Sequence, residues 1–437
     1  MKNFKAILAV MLTLVLSGCT AFSFDGSAIM CPPKATGSKA EIQKLIDKQT
    51  KGDYTLKYPK NGTNRSSIVL KDLDNDNEEE AIAFYADKDN STVHALFVEC
   101  DKGDYSVISD VVLDATSIDL VDFADLNGDS TFEILIGCST TTSSKNTLCV
   151  YDYLETIEQL DVTATYSSLV SGDFNLDEAD DILLISLYSS DVTANAKMLS
   201  YIRGTLSDVG TSELDPDVTS LAKVQYGQIA YGIYGAVIDG ITSAGDYTTQ
   251  VVIFDSSRPA LLNPLYTYSG YGATRRSTQL CSLDFDNDKL IDIPVCKLMP
   301  YSEDEAVSTV SIQVDWSNFD TTSYTLKTNF SSILCPKDGY SLTIPQKWTD
   351  VVTARYNEKE HETTVSQYKY VGNTFKLTGK IVSIKAYKEE EFDKNSSGYI
   401  EFLRSGSTVY AYSIGKADEY LAISGDELKN MFTLVNQ

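Results

Sequence analysis

The 437-residue chain has little of what most catalytic sites are built from. It holds two histidines, two tryptophans and 36 basic residues against 62 acidic ones. His94 lies in the apolar stretch VHALFVEC and reads as a structural strand residue; His361 lies in the charged turn NEKEHE. Neither stands in a nucleophile, zinc or phosphate motif, which argues against a serine hydrolase or a histidine-rich metal enzyme. A net charge of −26 argues against nucleic acid and anionic lipid surfaces as partners. Beyond the N-terminal segment no 18 consecutive apolar residues occur, so no later stretch reads as a membrane-spanning helix. Helical periodicity is nearly absent between residues 65 and 328. What remains is 43% hydrophobic residues, enough to bury real cores in two or three domains, or in one repeat array plus a domain.

The N-terminus reads MKNFKAILAVMLTLVLSGCT. Lys2 and Lys5 precede an apolar run of 11 residues, Ala6 to Leu16, which has the length of a signal-peptide core. The run ends in Leu16-Ser17-Gly18-Cys19, which resembles the lipobox of bacterial lipoproteins. The resemblance implies a signal peptide over 1–18, lipidation of Cys19, and a protein anchored outside the cytoplasm through acyl chains. Losing Lys2 and Lys5 and no acid, the processed chain carries 34 basic and 62 acidic residues, a net of −28. Residues 19–37 read as a tether. Residues 38–64 read as a short helix, with Ser38 and Glu41 as a capping box, and a lead-in strand.

Seven cysteines remain after Cys19, an odd number. Cys138 and Cys149 flank a Thr/Ser-rich turn, and Cys281 and Cys296 bracket an acidic loop. Each pair reads either as a cross-hairpin disulfide or as two buried thiols. Cys31, Cys100 and Cys335 have no partner that spacing assigns.

The informative feature is an acidic loop that recurs. Residues 72–80, DLDNDNEEE, hold six acids and run straight into AIAFY. The pattern is oxygen side chains at positions 1, 3, 5 and 9, an apolar residue at position 2, and a strand-like run after position 9. It appears as Asp72, Asp74, Asp76, Glu80; as Asp125, Asn127, Asp129, Glu133; as Asp173, Asn175, Asp177, Asp181; and as Asp284, Asp286, Asp288, Asp292. Residues 231–254 look like a decayed copy that keeps Asp239. Successive first acids are 53, 48, 66 and 45 residues apart. A period near 50 suits a four-stranded propeller blade, and the segments between loops are short, β-branched and bounded by Asp, Asn, Gly or Ser.

The spacing has a chemical reason. Calcium takes six to eight hard oxygen ligands, and a tight turn brings positions 1, 3 and 5 to one side. Position 7 can offer its carbonyl, from Glu78, Thr131, Ala179 or Leu290, and the acid at 9 closes the site. An EF-hand would need its acid at 12, between helices. The third loop lacks Gly or Asn at positions 4 and 6 and is expected to bind more weakly. Over residues 65–328 the pattern resembles the calcium loops of FG-GAP repeats, the integrin-alpha type of blade, and of the related VCBS repeats. That resemblance implies a β-propeller with Ca2+ in the hairpin loop between a blade's first two strands.

From residue 331 the pattern changes. DGYSLTIP reads as an edge strand stopped by Pro345, followed by several antiparallel strands. Ser424 and Glu427 form a capping box ahead of Leu428, Met431 and Phe432. The expected architecture is mainly β: a propeller of about five visible blades over 65–330, then a small α+β domain over 331–437. The expected role is binding of a glycan or protein, or envelope structure, with tyrosines in 226–271 and Arg275–Arg276 as a candidate patch. The alternative is a surface carbohydrate-active enzyme using propeller-borne carboxylates.

Overall fold

The computed structural model describes residues 37–153, 156–162, 164–269, 271–392 and 398–435. The signal segment, Cys19 and Cys31 lie outside the described residues. The protein is mainly β and consists of six antiparallel sheets. It divides into two compact units. The first holds the chain up to Lys57 with Ser66–Asp72 and Asn77–Leu113; the second holds Tyr58–Arg65, Leu73–Asp76 and everything from Asp114 onward.

In the first unit the strands Ile68–Lys71, Glu80–Asp87, Val93–Asp101 and Asp104–Leu113 form a meander, and Tyr54–Leu56 shares the edge of Glu80–Asp87 with Ile68–Lys71. Helix α1 (Ser38–Thr50) buries Ile42 and Ile46 in the core of this sheet, with Ile68, Tyr85, Leu96 and Val98. The expected capping box is not formed. Ser38 is already helical, and Gly37 at φ +61° takes the cap position with no side-chain bond. His94 is structural, as expected: its ring stacks on Tyr85 at 4.6 Å and its Nδ1 lies 3.0 Å from Asp110.

In the second unit four more sheets follow in chain order. The second is built from Ser117–Ala124, Glu133–Ser139 and Asn146–Tyr153, with the short strands Ile157–Gln159 and Ala164–Tyr166. The third is Ser168–Gly172, Asp181–Ser186, Asn195–Ile202 and Thr205–Glu213. The fourth is Val218–Ala230, Ile233–Thr242, Tyr247–Asp255 and Ala260–Leu262. The fifth contains Ile293–Leu298, Ile312–Asp320, Thr325–Cys335, Tyr340–Thr343 and Phe432–Leu434.

The sheets of this unit share cores face to face. In DILLIS, residues 181–186, every residue is buried. Ile182 and Leu184 enter a core with Leu135, Val150 and Tyr166 of the second sheet. Leu183 and Ile185 point the other way, into a core with Ala236, Ile238 and Val252 of the fourth. Val237, Val251 and Ile253 in turn pack against Ile291, Ile293 and Phe319 of the fifth. Period-two alternation with both faces covered explains why these strands read as continuous apolar runs. Gly172 marks one close approach: a Cβ there would meet the Tyr226 ring at 2.4 Å, and Tyr226 donates to the Asp173 carbonyl at 2.6 Å.

The sixth sheet is ordered Val352–Asn357, Glu362–Val371, Thr374–Lys388, Thr408–Ile414, Ile400–Ser405. The expected boundary at 330/331 falls inside the strand Thr325–Cys335. Ile333 and Cys335 of that strand share a core with Val365, Val382 and Ile384 of the sixth sheet. Tyr340–Thr343 is not an edge strand either. It lies between Thr325–Cys335 and Phe432–Leu434, so the chain's last strand covers the edge that its sequence left open. The capping box at Ser424 is present in full, with Glu427 N–H donating to Ser424 Oγ at 3.1 Å and Ser424 N–H to Glu427 Oε2 at 2.8 Å.

Candidate metal centre

All four acidic loops lead, at or one residue after their ninth position, into a strand of a sheet: Glu80–Asp87, Glu133–Ser139, Asp181–Ser186 and Ile293–Leu298. Each closes on the same pair, because the residue before position 1 faces position 9 across the strands. The pairs are Lys71 with Glu80, Ala124 with Glu133, Gly172 with Asp181 and Leu283 with Asp292.

Inside the loops the side-chain oxygens hold the backbone. In the fourth loop Asp284 accepts from the N–H groups of Asp288 and Lys289, both at 3.0 Å, Asp286 accepts from Asp288, and Asp288 accepts from Leu290 at 2.8 Å. The second and third loops repeat the scheme with Asp125, Asn127, Asp129 and with Asp173, Asn175, Asp177. Positions 4 and 6 are left-handed in every copy: Asn75 and Asn77, Gly128 and Ser130, Leu176 and Glu178, Asn287 and Lys289. Asn and Gly tolerate this conformation and Leu does not. Leu176 sits at φ +61° with its side chain 56% exposed, so little packing opposes a change. Leu176→Asn is therefore expected to stabilise the protein by ~0.5–1 kcal/mol, read as a higher urea midpoint at unchanged slope. A lower midpoint would show that this loop draws on contacts of the leucine.

The ninth-position acid is the buried member. Glu133 accepts from Leu126 N–H at 2.6 Å, Asp181 from Phe174 N–H at 3.1 Å and Asp292 from Phe285 N–H at 3.0 Å. Their second oxygens accept from Asn127, Ser200 and Asn318 respectively. Burial pushes Glu133 and Asp181 up to about 7 and Asp292 up to about 6.

Each later loop is also tied to the repeat before it. The N–H at position 8 reaches a carbonyl of the preceding repeat in three cases: Phe132 to Leu73 at 2.8 Å, Asp180 to Asp125 at 2.7 Å and Ile291 to Gln228 at 2.8 Å. Asp180 adds a second bond, its carboxylate accepting from Asp125 N–H at 3.2 Å.

Among the described residues, carboxylate oxygens gather to within 4.8 Å of one another in two loops, Asp72, Asp74, Glu80 and Asp284, Asp286, Asp292. Two ligands bound to one calcium at 2.3–2.6 Å lie at most about 5 Å apart, so the spread fits. The donor set is all oxygen, which suits a hard cation. Asp72 Oδ1 is shut off from solvent and has no hydrogen-bond partner, the condition a cation would relieve. Asp76 and Asp288 stand outside these closest groups, and the second and third loops have Asn in place of one acid.

One position was missed from sequence. Carried one step past its last paired residues, the antiparallel register brings a residue of the next strand opposite each ninth-position acid. These are Glu99 opposite Glu80, Asp152 opposite Glu133, Ser200 opposite Asp181 and Asn318 opposite Asn-accepting Asp292. In the third and fifth sheets this residue is a donor to the acid. In the second it is another acid, and Asp152 Oδ1 is buried without a hydrogen-bond partner. No loop motif could have revealed a ligand candidate 19 residues beyond Glu133.

Other expectations resolve differently. Asp239 is not the start of a loop. It lies inside the strand Ile233–Thr242, fully buried, and the loop that would precede this strand is the short turn at Tyr231–Gly232. Arg276 is no surface residue: its buried guanidinium lies 3.0 Å from Asp239, while Arg275 pairs with Asp217 at 2.6 Å. Tyr226 is a strut against Gly172, and Tyr231 is 95% exposed. Cys138 and Cys149 face each other across a hairpin as thiols with sulfurs 3.9 Å apart, and Cys281 and Cys296 are also unbonded.

No family model matches the chain, and no curated protein matches it. Among solved structures, the Bacillus licheniformis rhamnogalacturonan lyase PL11 aligns over 76% of this chain and 81% of its own, at 9% identity and a TM-score of 0.31. A likeness at that level carries no argument about activity.

Proposed function

We propose that this chain is a lipid-anchored extracytoplasmic surface protein whose FG-GAP-like propeller repeats are stabilised by calcium, and that it serves in binding a glycan or protein, or in envelope structure. The observation that carries the reading is the repetition of one loop design, with the same closing pair, ahead of a buried strand in four of the six sheets. The face-to-face stacking of those sheets supports a propeller. The short apolar segment ending at Cys19 supports the anchor. Calcium would be held by the acids at positions 1, 3, 5 and 9, and its role there is structural: it neutralises the crowded carboxylates and locks the hairpin. Calorimetric titration of calcium into metal-free protein tests this, and absence of binding heat would reduce the loops to solvated turns. A soluble glycan screen with product analysis tests the role. Retention without cleavage supports binding, and cleaved products would replace it with a carbohydrate-active enzyme.

The residue opposite Glu133 makes a sharper prediction. In metal-free protein Asp152 sets a second carboxylate against Glu133, which is unfavourable by ~0.5–1 kcal/mol. In loaded protein the same carboxylate would attract the ion. Asp152→Asn is expected to raise the melting temperature without calcium and to shrink the increment that calcium adds. A calcium increment left unchanged by the substitution would show that Asp152 has no part in cation binding.

A further inference from the structure

A different region of the second unit, remote in sequence from the loops, carries a site of its own. An open cavity of about 940 Å³ lies between the segment 336–339 and the sixth sheet. Asp338 and His361 meet at its wall. The Asp338 side chain is only 3% exposed, while that of His361 is 56% exposed, and Asp338 Oδ1 lies 2.7 Å from His361 Nδ1. A carboxylate at this distance fixes Nδ1 as the donor and orients the ring, so that Nε2 is left for another partner. Asp338 is itself held: Tyr410 Oη donates to its carbonyl at 2.8 Å.

The surroundings are unusual for so acidic a chain. Lys337, Lys359 and Lys388 line the same cavity, with Tyr387 beside them. Lys337 is paired with Glu358 at 2.7 Å, and Lys388 is 3.9 Å from Glu391, which also lines the cavity. Lys359 has no ion-pair partner among the described residues. His361 holds a left-handed backbone, φ +50°, at the end of a hairpin turn. Glycine or asparagine is the ordinary choice there. A half-exposed histidine beside a cavity, aimed by a buried acid, points to use.

We infer that this cavity binds an oxyanion, a phosphate or a carboxylate, with His361 as the positioned donor and Lys359 and Lys388 as the attracting charges. Nε2 is the ring atom turned to the anion, while Asp338 holds the ring through Nδ1. The ammonium groups act as point charges that need no fixed geometry. Tyr387 also lines the cavity, which leaves room for a sugar that carries the anion. The inference is independent of the calcium reading, because none of these residues belongs to an acidic loop.

The chain's two histidines make the test direct. The full chain is titrated with inorganic phosphate and, separately, with glucuronate, at constant pH and ionic strength, while the imidazole signals are followed by NMR. His361 is expected to shift saturably with at least one probe, and His94, stacked on Tyr85, to stay still. Response to phosphate alone assigns a phosphorylated ligand, response to glucuronate alone an acidic sugar, and response to both a general oxyanion site. Lys359→Ala with Lys388→Ala, both on the surface, is expected to weaken binding at least ten-fold. His361→Gln is expected to abolish it without lowering the melting temperature. A His361 signal that does not saturate with either probe, or that moves in step with His94, would overturn the inference. So would an unchanged affinity in the double lysine variant.

Discussion

Millimolar calcium is expected to raise the melting temperature of the metal-free protein by roughly 10 °C or more. At 100-fold excess over its dissociation constant, one ion adds ~2.7 kcal/mol to the folded state. Two well-formed loops would add about twice that, and a chain of this size gains a few degrees per kcal/mol. The effect should depend on pH in a defined way. Glu133 and Asp181 are raised to about 7 and Asp292 to about 6 by burial. An acid whose pKa is raised on folding favours the folded state below its unfolded value, near 4, and loses that contribution as pH rises through the folded value. Metal-free protein should therefore melt higher at pH 5 than at pH 7.5. Calcium should reverse the order, because deprotonated acids bind it and protonated ones do not. Thermal melts at both pH values, with EDTA and with calcium, check both signs. A calcium increment equal at pH 5 and pH 7.5 would remove the ninth-position acids from the site.

Arg276→Met should be the most damaging single substitution among those considered, costing about 3–5 kcal/mol. Arg276 and Asp239 are both fully buried, and they meet at 3.0 Å. The guanidinium also donates to Thr249 Oγ1 and the Thr274 carbonyl, both at 2.9 Å, and to the Leu280 carbonyl at 2.8 Å. Asp239 in turn accepts from Ser282 N–H at 2.8 Å. Removing the cation strands a carboxylate that cannot reach water and orphans two carbonyls. Arg276→Lys should recover little, since one ammonium cannot span the positions that the planar fork reaches. Urea unfolding of the three proteins measures this. A loss below 1 kcal/mol would mean that the buried carboxylate finds another partner or a proton.

Asp239 also shows where pattern reading stops. Its period matches the other repeats, and its flanking residues are strand-like, so it reads as a worn copy of the acidic loop. In the structure its partner is Arg276, 37 residues onward, and the hairpin before it needs no loop. The four intact loops were readable because their chemistry is local. The bonds by which positions 1, 3 and 5 hold the loop backbone reach no further than five residues, so spacing alone encodes them. Asp152 was not readable, because it reaches Glu133 only through the register of two paired strands. Asp338 and His361 were hidden for the same reason, each lying in a turn whose neighbour belongs to another sheet.

The strand content, the four-fold recurrence of the loop and the placement of each loop ahead of a buried strand follow from residue order. They rest on period-two patterning and on turn chemistry, which act over fewer than ten residues. Pairing across longer distances was decided by packing. The last strand, Phe432–Leu434, closes beside Tyr340–Thr343, and Ile333 and Cys335 are drawn into the core of the sixth sheet. These pairings bury apolar side chains that lie far apart in sequence, and that burial is a property of the assembled fold.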